Sequence, residues 1–340
     1  MRVLPCLSLL CLVACSSSPD KLTDGSADQQ PAEVSLLASF DLPRQQETES
    51  LSALFFDGTT LFALPDTTPQ IVPLTPAPGY GSWTVGAPLS LTGGDTSSWD
   101  GEGLTRGADG SWAVVADETA PRLERYAADG SYVGTIATPA RFAMQAAGNM
   151  GIESLSTSPS GAFLFFANEG ALVPDGPIAS PAYGTRIRIL RRELATGHDE
   201  EHAYLTDPTG PGQGGTLGVS DVTAFSDHEV LVLERGFQLG YGNTVRIYRA
   251  DLASSTDVSQ VEALDGSTST LRKQLVVDLL TLPSAGVTSP ETQPSPLLDN
   301  FEGLALGPTL PDGRRVLFVV SDDNQRATQV PRLLALAVSL

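Results

Sequence analysis

The stretch DNFEGLALGP, residues 299–308, sets one carboxylate, Glu302, inside an otherwise apolar run that reads as a strand entering a core. A carboxylate on such a strand needs a reason, because burying an unpaired charge is costly. The phrase recurs as Glu49-Ser-Leu-Ser, Glu102-Gly-Leu-Thr, Glu153-Ser-Leu-Ser, Ser220-Asp-Val-Thr and Glu302-Gly-Leu-Ala. Its acids, Glu49, Glu102, Glu153, Asp221 and Glu302, are spaced 53, 51, 68 and 81 residues apart. Repeats of this period indicate a propeller or a solenoid.

The residues after each phrase decide between the two. A turn leads into a second apolar strand that ends in acid: GSWAVVADE (Asp117, Glu118), GAFLFFANE (Glu169), HEVLVLERG (Glu234) and RRVLFVVSDDN (Asp322, Asp323). Third strands come next, among them TRIRILRREL and NTVRIYRADL, and fourth strands such as KQLVVDLLTLP complete most units. Four short antiparallel strands joined by Asp-Gly or Ser-Gly turns make one blade of an all-β propeller. Five blades over residues 33–340 are expected, although the 81-residue interval has room for a sixth. Residues 254–271 and 283–298, rich in Ser, Thr, Pro and Gly, read instead as insertions. The last unit ends after three strands, so EVSLLASFDLP, residues 33–43, is expected to close it.

First strands line the channel of a propeller, so Glu49, Glu102, Glu153, Asp221 and Glu302 are expected to converge as a ring. Like charges at close range do not all stay ionised without a counter-ion, and calcium, with six to eight oxygen ligands, suits such a ring. Asp322 and Asp323 are expected as further cation ligands. The same acids also read, without metal, as acceptors of backbone N–H groups between blades. Arg106 and Arg235 are expected to bind substrate phosphate at the mouth, with Glu102 and Glu302 beside them as catalytic acids.

MRVLPCLSLLCLVAC has one basic residue, Arg2, an apolar core and a small residue before Cys15, the pattern of a secretory signal over residues 1–14. Leu12-Val13-Ala14-Cys15 matches a bacterial lipobox, so Cys15 is the expected lipidation site. Residues 15–32 read as a flexible tether. Ser16 after the cysteine points to an outer-membrane lipoprotein of the cell envelope, with the membrane reached through the lipid. All three cysteines lie in this segment, which removes thiol chemistry from the mature domain. The formal charge is −20, or −21 once Arg2 is removed, with two lysines against eighteen arginines. Nucleic acid is therefore excluded as a partner, and a monomer acting on a small molecule is expected.

DGEGLTRGADGSWAVVADE, NMGIESLSTSPSGAFLFFANEG, GVSDVTAFSDHEVLVLERGF and DNFEGLALGPTLPDGRRVLFVVSDDNQ together resemble the phytase-like domain family, described by an esterase-like activity of phytase, from about Ser50 to Leu340. The resemblance implies a secreted or periplasmic β-propeller and hydrolysis of phosphate esters. It carries over Glu102, Arg106, Glu153, Asp221, Glu234, Arg235, Glu302, Asp322, Asp323 and Asn324. Blade one departs from the family pattern at LPDTTPQ, where Asp66 stands.

Other chemistry is weak. HDEEH, residues 198–202, matches a zinc-peptidase pattern but is expected in a solvated hairpin turn rather than a helix. No G-x-S-x-G elbow occurs, and GPGQGG, residues 210–215, lacks the lysine of a P-loop. The function expected is a calcium-dependent phosphoester hydrolase on a lipid-anchored propeller. The alternatives are a non-catalytic binding or scaffold propeller, or a lactone hydrolase like the gluconolactonases.

Overall fold

The computed structural model describes residues 33–116 and 121–340. The signal segment, Cys15 and the tether lie outside the described residues, as do Asp117 and Glu118. A first strand, β1 (Val34–Asp41), precedes the blades. Blade one is β2 (Leu51–Phe56), β3 (Leu61–Pro65), β4 (Gln70–Pro76) and β5 (Trp83–Val85), with β6 (Leu89–Ser90) also paired to β4. Blade two is β7 (Gly103–Arg106), β8 (Trp112–Val115), β9 (Leu123–Tyr126) and β10 (Tyr132–Ile136). Blade three is β11 (Ser156–Thr157), β12 (Phe163–Ala167), β13 (Arg186–Glu193) and β14 (His198–Leu205). Blade four is β15 (Gln213–Ala224), β16 (Glu229–Leu239), β17 (Gly242–Asp251) and β18 (Arg272–Asp278). Blade five is β19 (Phe301–Thr309), β20 (Arg315–Ser321) and β21 (Arg332–Val338), completed by β1.

The five antiparallel sheets form a five-bladed β-propeller, with inner strands β2, β7, β11, β15 and β19 adjoining in turn and β19 meeting β2. No sixth blade occupies the 81-residue interval: β18 completes blade four, and residues 254–271 and 283–298 contain no strand. The HDEEH stretch is not the expected turn but the start of β14, paired with β13 across a turn at residues 194–197.

The near-continuous apolar runs arise because blades have neighbours on both faces. Along β16, Val230 and Val232 pack toward blade three, whereas Leu231 and Leu233 pack toward blade five. Along β20, Val316, Phe318 and Val320 face blade one, and Leu317 and Val319 face blade four. The core is thus divided into clusters at the seams between successive blades.

Closure is made by β1 on β21, in register from Val34 opposite Val338 to Asp41 opposite Arg332. The buried Arg332 anchors that seam, with Nε 2.6 Å from Asp41 Oδ1. Its other nitrogens donate to the carbonyl oxygens of Thr288, Pro296 and Leu297, which fixes the second insertion against blade five. A variant lacking residues 33–41 leaves β21 an open edge and Arg332 without its acid. Thermal melting of that variant is expected to start at least about 10 °C lower and to lose its sharp cooperativity; a melt superimposable on the full chain would show that closure by β1 is not needed.

Candidate functional site at the acidic mouth

Two registers bring charge to the mouth where the inner strands begin. In blade five, Phe301 pairs with Ser321 and Gly303 with Val320, so Glu302 is the extra residue of a β-bulge. Bulges re-aim side chains, and this one turns Glu302 toward Arg235 of blade four. In blade four, Val219 pairs with Glu234 and Asp221 with Leu233, so the bulged residue is Ser220. In blade one, Leu51 pairs with Pro65 and Ala53 with Leu64, so it is Ser52.

These pairings correct two of the expected ring members. Glu49 lies three residues before the blade-one bulge, in the turn ahead of β2, half-buried, with its N–H on the Gln45 carbonyl oxygen. The true counterpart of Glu302-Gly-Leu-Ala is Ser52-Ala-Leu-Phe, as the close approach of Gly303 to Ser52 and Ala53 also shows. Asp221 sits one residue past its bulge and points into the seam between blades four and five. Its two oxygens accept the N–H groups of Val222 and Leu304, each at 2.7 Å. Burial holds its carboxyl well above the usual carboxylate range. The metal-free reading of the acids thus describes Asp221.

The second register is the residue that follows the second-strand partner of the residue ahead of the inner-strand phrase; in blade four, where β16 runs on to Leu239, it lies within the strand. The pairs Leu51–Pro65, Ile152–Asn168, Val219–Glu234 and Phe301–Ser321 make Asp66, Glu169, Arg235 and Asp322 equivalent positions in blades one, three, four and five. Among the described residues, three blades place an acid there and blade four places an arginine. Arg235 Nη2 donates to Glu302 Oε1 at 2.7 Å, and Nη1 lies 3.6 Å from Glu169 Oε1. Burial works against the guanidinium charge, but Glu302, Glu169, Glu153 and Asp322 outweigh it and raise the pKa above its ordinary value. Asn300 Nδ2 donates to Glu302 Oε1 at 2.9 Å and reaches Asp322 Oδ2 at 3.4 Å, linking the two acids. Glu102 and Glu153, each buried at the start of its inner strand, complete the set.

Negative charge still exceeds positive. Burial first, then Glu302, Asp100 and Asp323, push Asp66 up to about 7. Burial, Glu302 and Asp66 hold Asp322 well above the usual range. Asp322 and Asp323 also hold the turn after β20, where Asn324 and Gln325 have φ of 46° and 54°. Their Oδ1 atoms accept the N–H groups of those residues at 2.7 and 3.2 Å. Asp323 further accepts Ser50 N–H at 3.0 Å and pairs with Arg44 at 2.8 Å, so it belongs to the seam between blades five and one. Glu234 faces the opposite seam, where it accepts Tyr204 Oη and Lys273 Nζ at 2.6 and 2.7 Å.

Arg106 is not at this mouth. It ends β7, four residues beyond Glu102 and so roughly 13 Å along the strand. There it donates to Gly110 O at 3.2 Å and lies over the Trp112 ring, 4.7 Å from its centroid.

The expected calcium does not fit this donor set. Among the described residues no group of three or more His, Cys, Asp or Glu side chains is placed to hold a metal ion. The guanidinium of Arg235 stands where a counter-ion to the acids was expected.

A family model for the phytase-like family, described by an esterase-like activity of phytase, matches residues 23–325. The chain belongs to the phytase-like family. Within this phytase-like protein the matched span covers every residue of the acidic mouth. No curated protein matches its sequence. Solved structures similar to it include an endo-arabinase from Bacteroides thetaiotaomicron, at 10% identity, 88% of this chain, 95% of that chain and a TM-score of 0.47. An aldose sugar dehydrogenase from Streptomyces coelicolor aligns at 11% identity over 91% of this chain and 98% of that chain, with a TM-score of 0.41. A periplasmic gluconolactonase from Pseudomonas aeruginosa aligns at 16% identity over 84% of this chain and 85% of that chain, with a TM-score of 0.36.

The raised carboxyls of the phytase-like mouth make stability fall as pH rises. Protonated Asp66 stabilises the fold fully below its unfolded pKa near 4, and that contribution is lost as pH climbs through about 7. The melting temperature is therefore expected to be higher at pH 5 than at pH 8. Asp66→Asn should exceed wild type by several degrees at pH 8 and by clearly less at pH 5; an equal difference at both pH values would refute the assignment.

Proposed function

We propose that the protein is an ester hydrolase acting at the acidic mouth, with phosphate esters the first substrate class to test. The observation that carries this reading is Arg235, the guanidinium that pairs with Glu302 among the acids of the mouth, beside an Asp66 pushed up to about 7. Glu302 is held by Arg235 and Asn300, whereas Asp66 titrates close to neutral pH. A carboxyl paired with an arginine and a neighbouring one raised to about 7 can divide the roles of base and acid. Glu302 would take a proton from the attacking water, protonated Asp66 would give one to the leaving oxygen, and Arg235 would face the charge that develops on the ester. Glu102 and Glu153 would fix the guanidinium by balancing its charge. No step requires a metal, so turnover is expected to survive chelation, and Arg106 has no part in it.

The family description supports ester hydrolysis; the excess of acid favours a second substrate class, uncharged esters and lactones, over highly charged anions such as phytate. We also propose that the enzyme works at the cell envelope, held by a lipid on Cys15.

The test is a panel of p-nitrophenyl phosphate, phytate, p-nitrophenyl acetate and a sugar lactone, each with calcium and with EDTA. At least one ester should be turned over in EDTA, and Glu302→Gln and Asp66→Asn should each lower kcat/KM by about 100-fold or more. Cys15→Ala should move that activity from membranes to the soluble fraction. Turnover of none of the four, turnover only with calcium, or variants equal to wild type would reject the proposal.

A further inference from the structure

The opposite end of the channel is a second, separate cavity of about 420 Å³. All five blades contribute to it through the later residues of their inner strands. Its floor is apolar, with Leu54, Leu104, Leu155 and Leu304 at matching positions and Phe56 and Leu306 toward the rim. Its hydroxyl groups already serve the seams: Thr223 donates to Leu304 O at 2.6 Å, Thr105 and Thr157 pair at 3.0 Å, and Ser156 accepts Ala224 N–H at 3.0 Å.

Charge on this wall has the opposite sign to that of the mouth. Arg106 and Arg315 both line the cavity, and neither has a carboxylate in ion-pair range among the described residues. In a chain with twice as many acidic as basic residues, most other arginines are paired. Arg315 Nη2 donates to Gly307 O at 2.7 Å, while its Nε is buried without a hydrogen-bond partner. Arg106 keeps one donor on Gly110 O and stacks on Trp112, which leaves its terminal nitrogens directed by neither contact. The one acid on the wall, Asp57, is committed through Oδ1 to the N–H groups of Thr59 and Thr60, at 2.9 and 2.8 Å. Two guanidinium groups against a single wall acid, Asp57, which feels the charge of Arg106 but is outside ion-pair range, leave net positive charge above an apolar floor and match an oxyanion carried on a small apolar body.

We propose that this cavity binds a small organic oxyanion, its phosphate or carboxylate head on Arg315 and Arg106 and its apolar body against the leucine floor. The site shares no residue with the acidic mouth, so it stands whether or not that mouth hydrolyses esters. A ligand here touches the inner strands of every blade and would tighten the ring from the side opposite the mouth.

Calorimetric titration of the purified protein with phenyl phosphate, benzoate and inorganic phosphate tests this. Saturable one-to-one binding of phenyl phosphate or benzoate is expected, with inorganic phosphate at least tenfold weaker. The preferred head, phosphate or carboxylate, is read from which of the two organic probes binds more tightly. Arg315→Gln should weaken binding tenfold or more. Ala108→Trp, an exposed rim change that keeps both arginines and narrows the entrance, should do the same, whereas Glu302→Gln at the other end should leave it unaltered. No saturable binding of either organic anion, binding indifferent to both Arg315→Gln and Ala108→Trp, loss in Glu302→Gln, or inorganic phosphate binding as tightly as phenyl phosphate would overturn the proposal.

Discussion

Five-fold repetition imposes one electrostatic constraint: whatever charge a blade places at the start of its inner strand or the end of its second strand is brought to a common axis. Glu102, Glu153, Glu302, Asp66, Glu169 and Asp322 are all subject to it, and their mutual repulsion must be relieved. Two devices do so. Blade four replaces the acid of its equivalent position with Arg235, which pairs with Glu302 at 2.7 Å. The excess that remains is relieved by protonation, seen as the raised pKa of Asp66 and Asp322. Breaking the buried pair would leave an acid uncompensated, at a cost of about 3–5 kcal/mol in comparable cases.

The same strands that carry these charges carry the core, and that coupling makes the mouth rigid. Alternate residues of β16 and β20 enter different seams, so each side chain at the mouth stands on a strand packed from both sides. Bulges at Ser220 and Glu302 break the pairing one residue before it becomes regular, and the bulge in blade five is what aims its carboxylate. In blade four, where the bulged residue is Ser220, the neighbouring blade is held by other means. Asp221 bonds Leu304 N–H directly, and Ser220 Oγ reaches Phe301 O at 3.3 Å. The mouth is thus built from blades that divide binding and holding between them.

Much of this was legible in the sequence. The recurring acid phrase, the apolar second strands and the three-stranded last unit specify a propeller of five blades closed by the N-terminal strand, because alternation and turn chemistry are local signals. The two insertions were readable from composition alone. Register was not. Glu49-Ser-Leu-Ser imitates the phrase, but the blade-one counterpart of Glu302 is Ser52, three residues later, and a shift of that kind is set by cross-strand partners that a single strand does not reveal. Asp221 was assigned to the ring on type, although its offset from Ser220 turns it into the seam. Arg106 and Arg235 are both expected at the mouth, but Arg106 stands four residues beyond Glu102, and the length of β7 carries it to the other end of the channel. Asp66 and Glu169 were visible as acids ending second strands, and aligning those ends, rather than the phrases alone, would have shown that Arg235 takes the place of an acid.

The claim that Arg235 is the resident counter-ion of the acids is tested most directly by the pH dependence of the stability lost in Arg235→Met, measured by urea unfolding at pH 5 and pH 8. If the guanidinium balances ionised carboxylates, the variant should be several kcal/mol less stable than wild type at pH 8, and should recover most of that difference at pH 5, where the acids can take up protons. An equal loss at both pH values would show that Arg235 holds the mouth by packing alone and would contradict the account.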